Sequence, residues 1–253
     1  GNIDGVARHA IGKFAHLHFA SNKDAANRLI KLGEEKFRIK VVGAPQLDQI
    51  ITYKKHNKLN YLKVEKKYFL PKSKNYYLAI FHAVTEEISK IKNQVEILVN
   101  SLDNLEEKIV WILPNNDPGS SLIREKILSN KSEKNLIFEN FNRLEFLTIM
   151  KNSIAMIGNS SAGIIEAPSF NLPAVNIGRR QKNRFRGRNV IDVNEFNSKK
   201  IFKSIKYASS LSFRKKIGNE KNPYGDGKSA KRIVNELIKM YNNENLISKT
   251  LTY

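Results

Sequence analysis

The sequence predicts an α/β protein built on a doubly wound parallel sheet. Over residues 74–210, short apolar runs alternate with stretches of helical spacing, which is the rhythm of parallel strands joined by right-handed crossovers. Residues 1–45 carry the same rhythm for two units only. The chain has 253 residues, 41% of them hydrophobic, enough for one large domain or two small ones.

The elements follow in order. Ile3, Val6, Ala7, Ala10, Ile11 and Phe14 fall at helical spacing. HLHFA, 16–20, reads as a short strand. SNKDAANRLIKLG, 21–33, opens on a capping Ser or Asn and stops at Gly33, so it reads as a helix. FRIKVVG, 37–43, is the next strand, closed by Ala44 and Pro45. The lysine-rich stretch 54–72 has poor periodicity and reads as a connector. From there the pattern is regular. YYLAIFH (76–82) leads into a helix over 85–103, and KIVWIL (108–113) leads through PNNDPGS into a helix over 120–129. NLIFEN (135–140) precedes a helix over 142–151, and SIAMIG (153–158) precedes one over 161–169. AVNIG (174–178) runs through a basic loop to NVIDV (189–193), and helices over 197–209 and 227–242 close the chain. Residues 74–210 thus read as a Rossmann-like domain. Two strands cannot make an independent covered sheet, so 1–45 read as the tail of a second such domain whose beginning lies outside this sequence. The expected organisation is 1–50 as that remnant, 51–74 as a linker, 75–226 as a nucleotide-binding domain, and 227–253 as a helix crossing back to the first domain.

Composition excludes several function classes. Cysteine is absent, which rules out disulfides, thiolate catalysis and Cys-ligated zinc and fits a cytoplasmic setting. No run of about 18 apolar residues is present, so no transmembrane helix and no membrane partner are expected. The opening residues carry no secretory signal, and Gly rather than Met stands first, as expected of a piece of a longer chain or a processed one. The net charge is +20, a size that suits a polyanionic partner. The lysines are dispersed, though, with no aromatic nucleic-acid motif beside them, and dispersed charge is usually a solvated face. No nucleic-acid partner is expected; a basic nucleic-acid binder stays as a rival reading.

In open α/β sheets, ligands sit beyond the carboxyl ends of the strands. Three strand ends are chemically unusual: His82, the run Pro114-Asn115-Asn116-Asp117, and the run Gly158-Asn159-Ser160-Ser161. A helix starting at Ser161 offers backbone N–H groups and a positive dipole end to a phosphate, and Gly158 lets the backbone turn and approach closely. Ser160 and Ser161 donate hydroxyl bonds to an anion, or they simply cap the helix. Glu166 accepts bonds from a ribose's paired hydroxyls, or it is a surface glutamate. Arg179, Arg180, Arg184, Arg186 and Arg188 crowd one loop, where guanidinium forks suit a diphosphate or are solvated. His82 is functional, or a capping or core histidine. Asp4 and Arg8 lie one helical turn apart, the spacing of an ordinary surface ion pair. Two motifs fail. GDGKS (225–229) lacks the first glycine of a P-loop, since Asn222 stands there, and no strand precedes it. The histidines show no metal-binding spacing.

Taken together, GNIDGVARHAIGKFAHLHF (1–19), RIKVVGAPQLD (38–48), FHAVTEE (81–87), LPNNDPGS (113–120), GNSSAGIIEAPSFNLPAVNIGRRQ (158–181), NVIDV (189–193) and NPYGDGKSAKRIV (222–234) resemble the hydrolysing UDP-N-acetylglucosamine 2-epimerase family. The likeness is greatest to its sialic- and legionaminic-acid pathway branch, and it covers nearly the whole chain. The resemblance implies a glycosyltransferase-B-like fold of two Rossmann-like domains, with the nucleotide mainly on the C-terminal one. It implies that Asp4 is an acid/base carboxylate with Arg8 beside it, and that His82 lies near the diphosphate. It implies that Asn115, Ser160, Ser161, Glu166 and Arg180 contact a UDP-sugar substrate and that Glu139-Asn140-Phe141 help read the base. It further implies a homodimer for the full-length protein, with no metal and no cofactor.

The family reaction eliminates the nucleoside diphosphate to leave a 2-acetamidoglycal, and water then adds with inversion at C2. A weakly acidic C–H loses its proton while a diphosphate leaves, which calls for a placed base and concentrated positive charge. Two departures are visible. The Gly-Gly-Glu that family members carry just before the stretch starting at Gly1, and an Asp further upstream, are not in this sequence. The expectation is therefore that these 253 residues bind UDP weakly and turn over nothing. Asn183 and Phe185 stand where relatives often have Gly and an acidic residue. A glycosyltransferase using the same nucleotide seat is the second reading.

Overall fold

A computed structural model of the chain describes residues 3–56, 60–218 and 220–252, with side chains from residue 5 onward. The chain divides into two compact units, residues 1–56 with 221–253, and residues 57–220.

The smaller unit begins with helix α1 (Ile3–Phe14), strand β1 (His18–Ala20), helix α2 (Lys23–Lys31), strand β2 (Ile39–Val41) and helix α3 (Gln46–Lys55). Asn22 caps α2, its Oδ1 accepting the Ala25 N–H at 2.8 Å, one of the otherwise orphaned donors of a first turn. β1 and β2 pair in parallel with His18 opposite Ile39.

The larger unit opens with helix α4 (Tyr61–Tyr68). Residues 54–72 are therefore not a plain connector: they hold the end of α3 and the whole of α4. Tyr61 and Val64 are buried, three residues apart, while Leu62, Lys63 and Lys66 face solvent. One short apolar stripe is enough to dock a two-turn helix, and the intervening lysines hide it from a periodicity count. The helix stops at Phe69, whose φ of 53° is left-handed.

Six parallel strands follow among the described residues. They are β3 (Tyr76–Ile80), β4 (Lys108–Ile112), β5 (Asn135–Phe138), β6 (Met156–Gly158), β7 (Ala174–Ile177) and β8 (Val190–Val193), in the spatial order β5-β4-β3-β6-β7-β8. Helices α5 (Ile91–Asp103), α6 (Ser120–Ser129), α7 (Arg143–Asn152), α8 (Ala162–Ile165), α9 (Ser198–Ser209) and α10 (Leu211–Ile217) lie between and after them. The central strand shows why both faces are covered. Tyr77, Ala79 and Phe81 enter one core with Trp111, Leu98 and Ile205. Tyr76, Leu78 and Ile80 enter the other with Tyr61, Val64 and Ile149. Side chains alternate across a strand, and a parallel strand buried on both faces reads as a continuous apolar run. Each fully buried Leu or Ile there contributes roughly 1.5–3 kcal/mol.

Two expected helices are broken. The one over 85–103 starts as a 3-10 segment, Thr85–Lys90, with a non-helical Glu87 before α5. The one over 161–169 is a single α-turn, α8, followed by a 3-10 segment, Ala167–Phe170. Pro168 has no N–H to continue the α ladder.

The smaller unit is completed by helix α11 (Ser229–Met240). The Asp48 carboxylate on α3 accepts the N–H groups of Ser229 (2.9 Å) and Ala230 (2.7 Å), capping α11 from another element. The closing residues are held by buried charge. Arg38, 0% exposed, donates to the carbonyls of Leu246 (2.7 Å), Asn245 (2.9 Å), Ser248 (2.7 Å) and His16 (3.2 Å). Glu34 meets Lys249 at 2.8 Å, Lys13 at 3.1 Å and His18 at 3.0 Å. Burial pushes its carboxyl up, but hydrogen bonds from Lys249, Lys13 and His18 outweigh that and hold the pKa at about 2. Lys249 also donates to the carbonyls of Gly12, Lys13 and Ala15 at the end of α1. Among the described residues, no helix is long and apolar enough to cross a membrane.

Candidate functional site

The strand order reverses between β3 and β6, and in doubly wound sheets that reversal is where ligands sit. The seam is tight. Gly158, the last residue of β6, has φ of 124°, and a Cβ there would lie 2.0 Å from the Ile80 carbonyl oxygen, so only glycine fits.

The next residue, Asn159, is 2% exposed and ties the two strand ends together. Its Oδ1 accepts the His82 N–H at 2.7 Å, and its Nδ2 donates to the His82 carbonyl at 2.8 Å. Its own N–H donates to Ile80 O at 3.1 Å. Its carbonyl accepts from Gln181 Nε2 at 2.8 Å and Arg180 Nη1 at 3.4 Å. Through its side chain and its main chain together, one buried asparagine thereby ties His82 after β3 and Arg180 after β7 to the β6 end that carries Ser160 and Ser161. The sequence points to a role for those four, names Asn159 only as part of the unusual strand-end run, and gives no sign of Gln181. What these two do depends on the strand order, which a linear pattern does not show.

Asn115, after β4, reaches the same place. Its Oδ1 lies 3.2 Å from His82 Nδ1 and its main-chain N 3.4 Å from it. Burial holds the His82 imidazole down to a pKa of about 4, helped by the positive charge of Arg180 and opposed by Asn115 and Asp117. The ring is neutral at pH 7.

The serines do little capping. Ser160 Oγ accepts the Ala162 N–H at a long 3.4 Å, and Ser161 at the N-cap position makes no side-chain cap bond. The plain N-cap reading is the weaker one on this geometry. The short α8 also changes the electrostatic expectation. Four residues sum few peptide dipoles, so an anion there would be held by individual amides and hydroxyls rather than by a long helix end.

Glu166 is not a surface glutamate. It is 7% exposed, and Oε1 pairs with Nη2 of Arg143 at the start of α7. Burial pushes its carboxyl up and Arg143 pulls against that, with burial prevailing. Arg143 carried no signal in the sequence. The loop 139–141 before it is also built from outside: Glu139 pairs with Arg124, and the Phe141 ring lies 4.8 Å from Tyr68 of α4 and 4.8 Å from Phe138.

The basic loop divides by role. Arg186 forks onto Asp192 at 3.0 and 3.2 Å, and Asp192 also accepts from Asn176 at 2.6 Å. Arg188 lies 3.7 Å from Glu220. Those two arginines pair with acidic residues, and Arg180 donates to the Asn159 carbonyl at the seam. Asn183 has φ of 65°, a left-handed conformation that asparagine tolerates best among non-glycine residues. Asp4 and Arg8 lie on α1 in the smaller unit. Arg8 is exposed, and the side chain of Asp4 lies outside the described residues.

A family model described as UDP-N-acetylglucosamine 2-epimerase matches residues 1–238. The chain is 37% identical over 238 residues to the UDP-N,N'-diacetylbacillosamine 2-epimerase (hydrolyzing) of Legionella pneumophila, covering 92% of this chain and 60% of the relative. It is 34% identical over 211 residues to the UDP-N-acetylglucosamine 2-epimerase of Neisseria meningitidis serogroup B, covering 83% and 55%. The chain thus spans little more than half the length of these relatives. A crystal structure of the Neisseria meningitidis UDP-GlcNAc 2-epimerase bound to UDP-GlcNAc superposes with a TM-score of 0.74 at 20% identity, covering 90% of this chain and 62% of that one. That likeness speaks for the fold, which is α/β and glycosyltransferase-B-like.

Proposed function

Because the chain belongs to the UDP-N-acetylglucosamine 2-epimerase family, matched over residues 1–238, we propose that the whole protein is a hydrolysing epimerase. It would convert UDP-N-acetylglucosamine, or a related UDP-N-acetylhexosamine, and water into the free 2-epimeric sugar and UDP. The hydrolysing form is favoured by the Legionella relative, whose name carries it at 37% identity.

The observation that carries the reading is the Asn159 clamp, which gathers His82, Ser160, Ser161 and Arg180 at the switch point of the sheet. A diphosphate seated there takes hydrogen bonds from the serine hydroxyls and amides and the charge of Arg180. Each stabilises the leaving group more as the C1–O bond breaks, which is what lowers the barrier. His82 stays neutral through its burial, with the field of Arg180 adding to it, so it adds a hydrogen bond without a second fixed cation. Asn115 holds the ring through Nδ1. Glu166 accepts from the ribose hydroxyls. Asp4 is the proposed acid/base group with Arg8 beside it. In the first half-reaction the proton at C2 goes to a base as UDP departs, giving the glycal. In the second, hydroxide from water adds at C1 and a proton returns to the opposite face of C2. For the 253 residues by themselves we propose UDP binding without turnover, since the family's Gly-Gly-Glu carboxylate is not among them.

Calorimetric titration with UDP tests the seat. The triple variant Ser160→Ala, Ser161→Ala, Arg180→Ala is expected to weaken UDP at least about a hundredfold, three charge-assisted or hydroxyl contacts being worth roughly 3 kcal/mol or more together. Unchanged affinity would refute the site. Free N-acetylmannosamine-type sugar from the whole protein supports hydrolysis; a glycosylated acceptor supports glycosyl transfer instead.

A further inference from the structure

Glu166 and Arg143 come from different elements and are not neighbours in sequence, yet they form a charge pair just past the C-terminal end of α8. A carboxylate that is to receive two adjacent hydroxyls needs two properties. It must be ionised, so that an oxygen left open to the ligand acts only as an acceptor and can take both hydroxyls. It must also be held in one orientation, because a rotating carboxylate satisfies one hydroxyl at a time. Glu166 is 7% exposed, and burial works against ionisation. The guanidinium of Arg143 supplies the opposing charge and, being planar with fixed donors, also sets the carboxylate plane. Arg143 follows loop 139–141 after the single capping residue Asn142, and Phe141 of that loop packs on Tyr68 and Phe138. The same backbone therefore carries the proposed base-reading loop and the cation that addresses the ribose carboxylate.

We propose that Arg143 is a positioning residue for ribose recognition: it fixes Glu166 through Oε1 so that Oε2 accepts the 2′- and 3′-hydroxyls of the nucleotide. The inference rests on the nucleotide reading above and adds a residue and a discrimination to it: the site should prefer ribose to deoxyribose, and Arg143 should set that preference.

The test is equilibrium binding of UDP and 2′-deoxy-UDP to the wild-type protein and to Arg143→Ala, Arg143→Lys and Glu166→Gln. The wild type is expected to bind UDP about tenfold more tightly than 2′-deoxy-UDP, the worth of one hydrogen bond to a charged acceptor. Arg143→Ala and Glu166→Gln should each remove most of that preference, weakening UDP more than 2′-deoxy-UDP, which keeps its 3′-hydroxyl, and Arg143→Lys should restore part of it. Arg143→Ala leaves a buried carboxylate uncompensated and is the variant most exposed to misfolding. The double variant Arg143→Met, Glu166→Gln removes both charges, and it should show no ribose preference either. Equal weakening of both nucleotides in Arg143→Ala, or an intact preference in the double variant, overturns this inference alone. A wild type that binds neither nucleotide overturns the UDP reading and this inference with it.

Discussion

Replacing Asn159 with alanine tests the seam most directly. The substitution removes the acceptor at 2.7 Å from the His82 N–H and the donor at 2.8 Å from the His82 carbonyl. Residue 159 is 2% exposed, so little water can replace either partner. A buried polar group left unpaired costs about 1–3 kcal/mol. His82 is itself half-buried, so some water reaches it, and the loss expected for the two groups together is about 2–4 kcal/mol. In a unit of this size that lowers Tm by roughly 5–15 °C. The chain's single tryptophan, Trp111, is 1% exposed within the larger unit's core, and its fluorescence in a denaturant titration reports that unit. Asn116→Ala, at an exposed strand end nearby, is the control and should cost less than about 0.5 kcal/mol. If Asn159→Ala costs no more than Asn116→Ala, the carboxamide does not hold the two strand ends and the site's construction is wrong.

Two further outcomes are expected. The His82 pKa lies at about 4 against an ordinary 6.5, so below pH 6.5 the unfolded chain takes up the proton first. His82 thus favours the fold fully above pH 6.5 and progressively less as pH falls toward 4. The wild type should lose more stability between pH 7 and pH 5 than His82→Gln, measured by denaturant midpoint; equal losses would count against a buried neutral imidazole. In the smaller unit, Lys249→Met takes a cation from Glu34, which keeps Lys13 and His18, and a donor from three carbonyls of α1. A loss of about 2 kcal/mol is expected, seen as faster proteolysis within residues 243–252, and an unchanged cleavage rate would refute it.

The sheet is legible because its strands are mostly apolar runs between helical stretches, YYLAI being the clearest, fully buried along its length. The helices α3 and α4 are not, because only two positions in each are buried, Leu47 and Ile50 in one and Tyr61 and Val64 in the other. The strand-end serines and the apolar pattern after them match a longer helix than α8, which ends short where Pro168 follows. Gly158 was read correctly from its position, since a glycine ending a buried strand implies close approach of another backbone. Arg143 and Asn159 illustrate what remains hidden. Each acts on a residue from a distant segment, and only the strand order puts the partners side by side. Arg186 shows the converse: five arginines in one loop look alike in sequence, and Asp192 on the next strand decides that this one is occupied.

The junction of β3 with β6 also governs how the larger unit can assemble. Leu78, Ala79 and Ile80 register with Met156, Ile157 and Gly158 there, a shorter ladder than the five residues joining β3 to β4. The halves β3–β5 and β6–β8 can each form from nearby sequence, but they meet only when residues about 77 positions apart come together, at an entropic cost that shorter connections avoid. A nascent polypeptide emerging from the ribosome therefore holds a half-sheet with an open edge until Asn159 is clear. The Asn159 contacts that join the two strand tips do not exist before that moment.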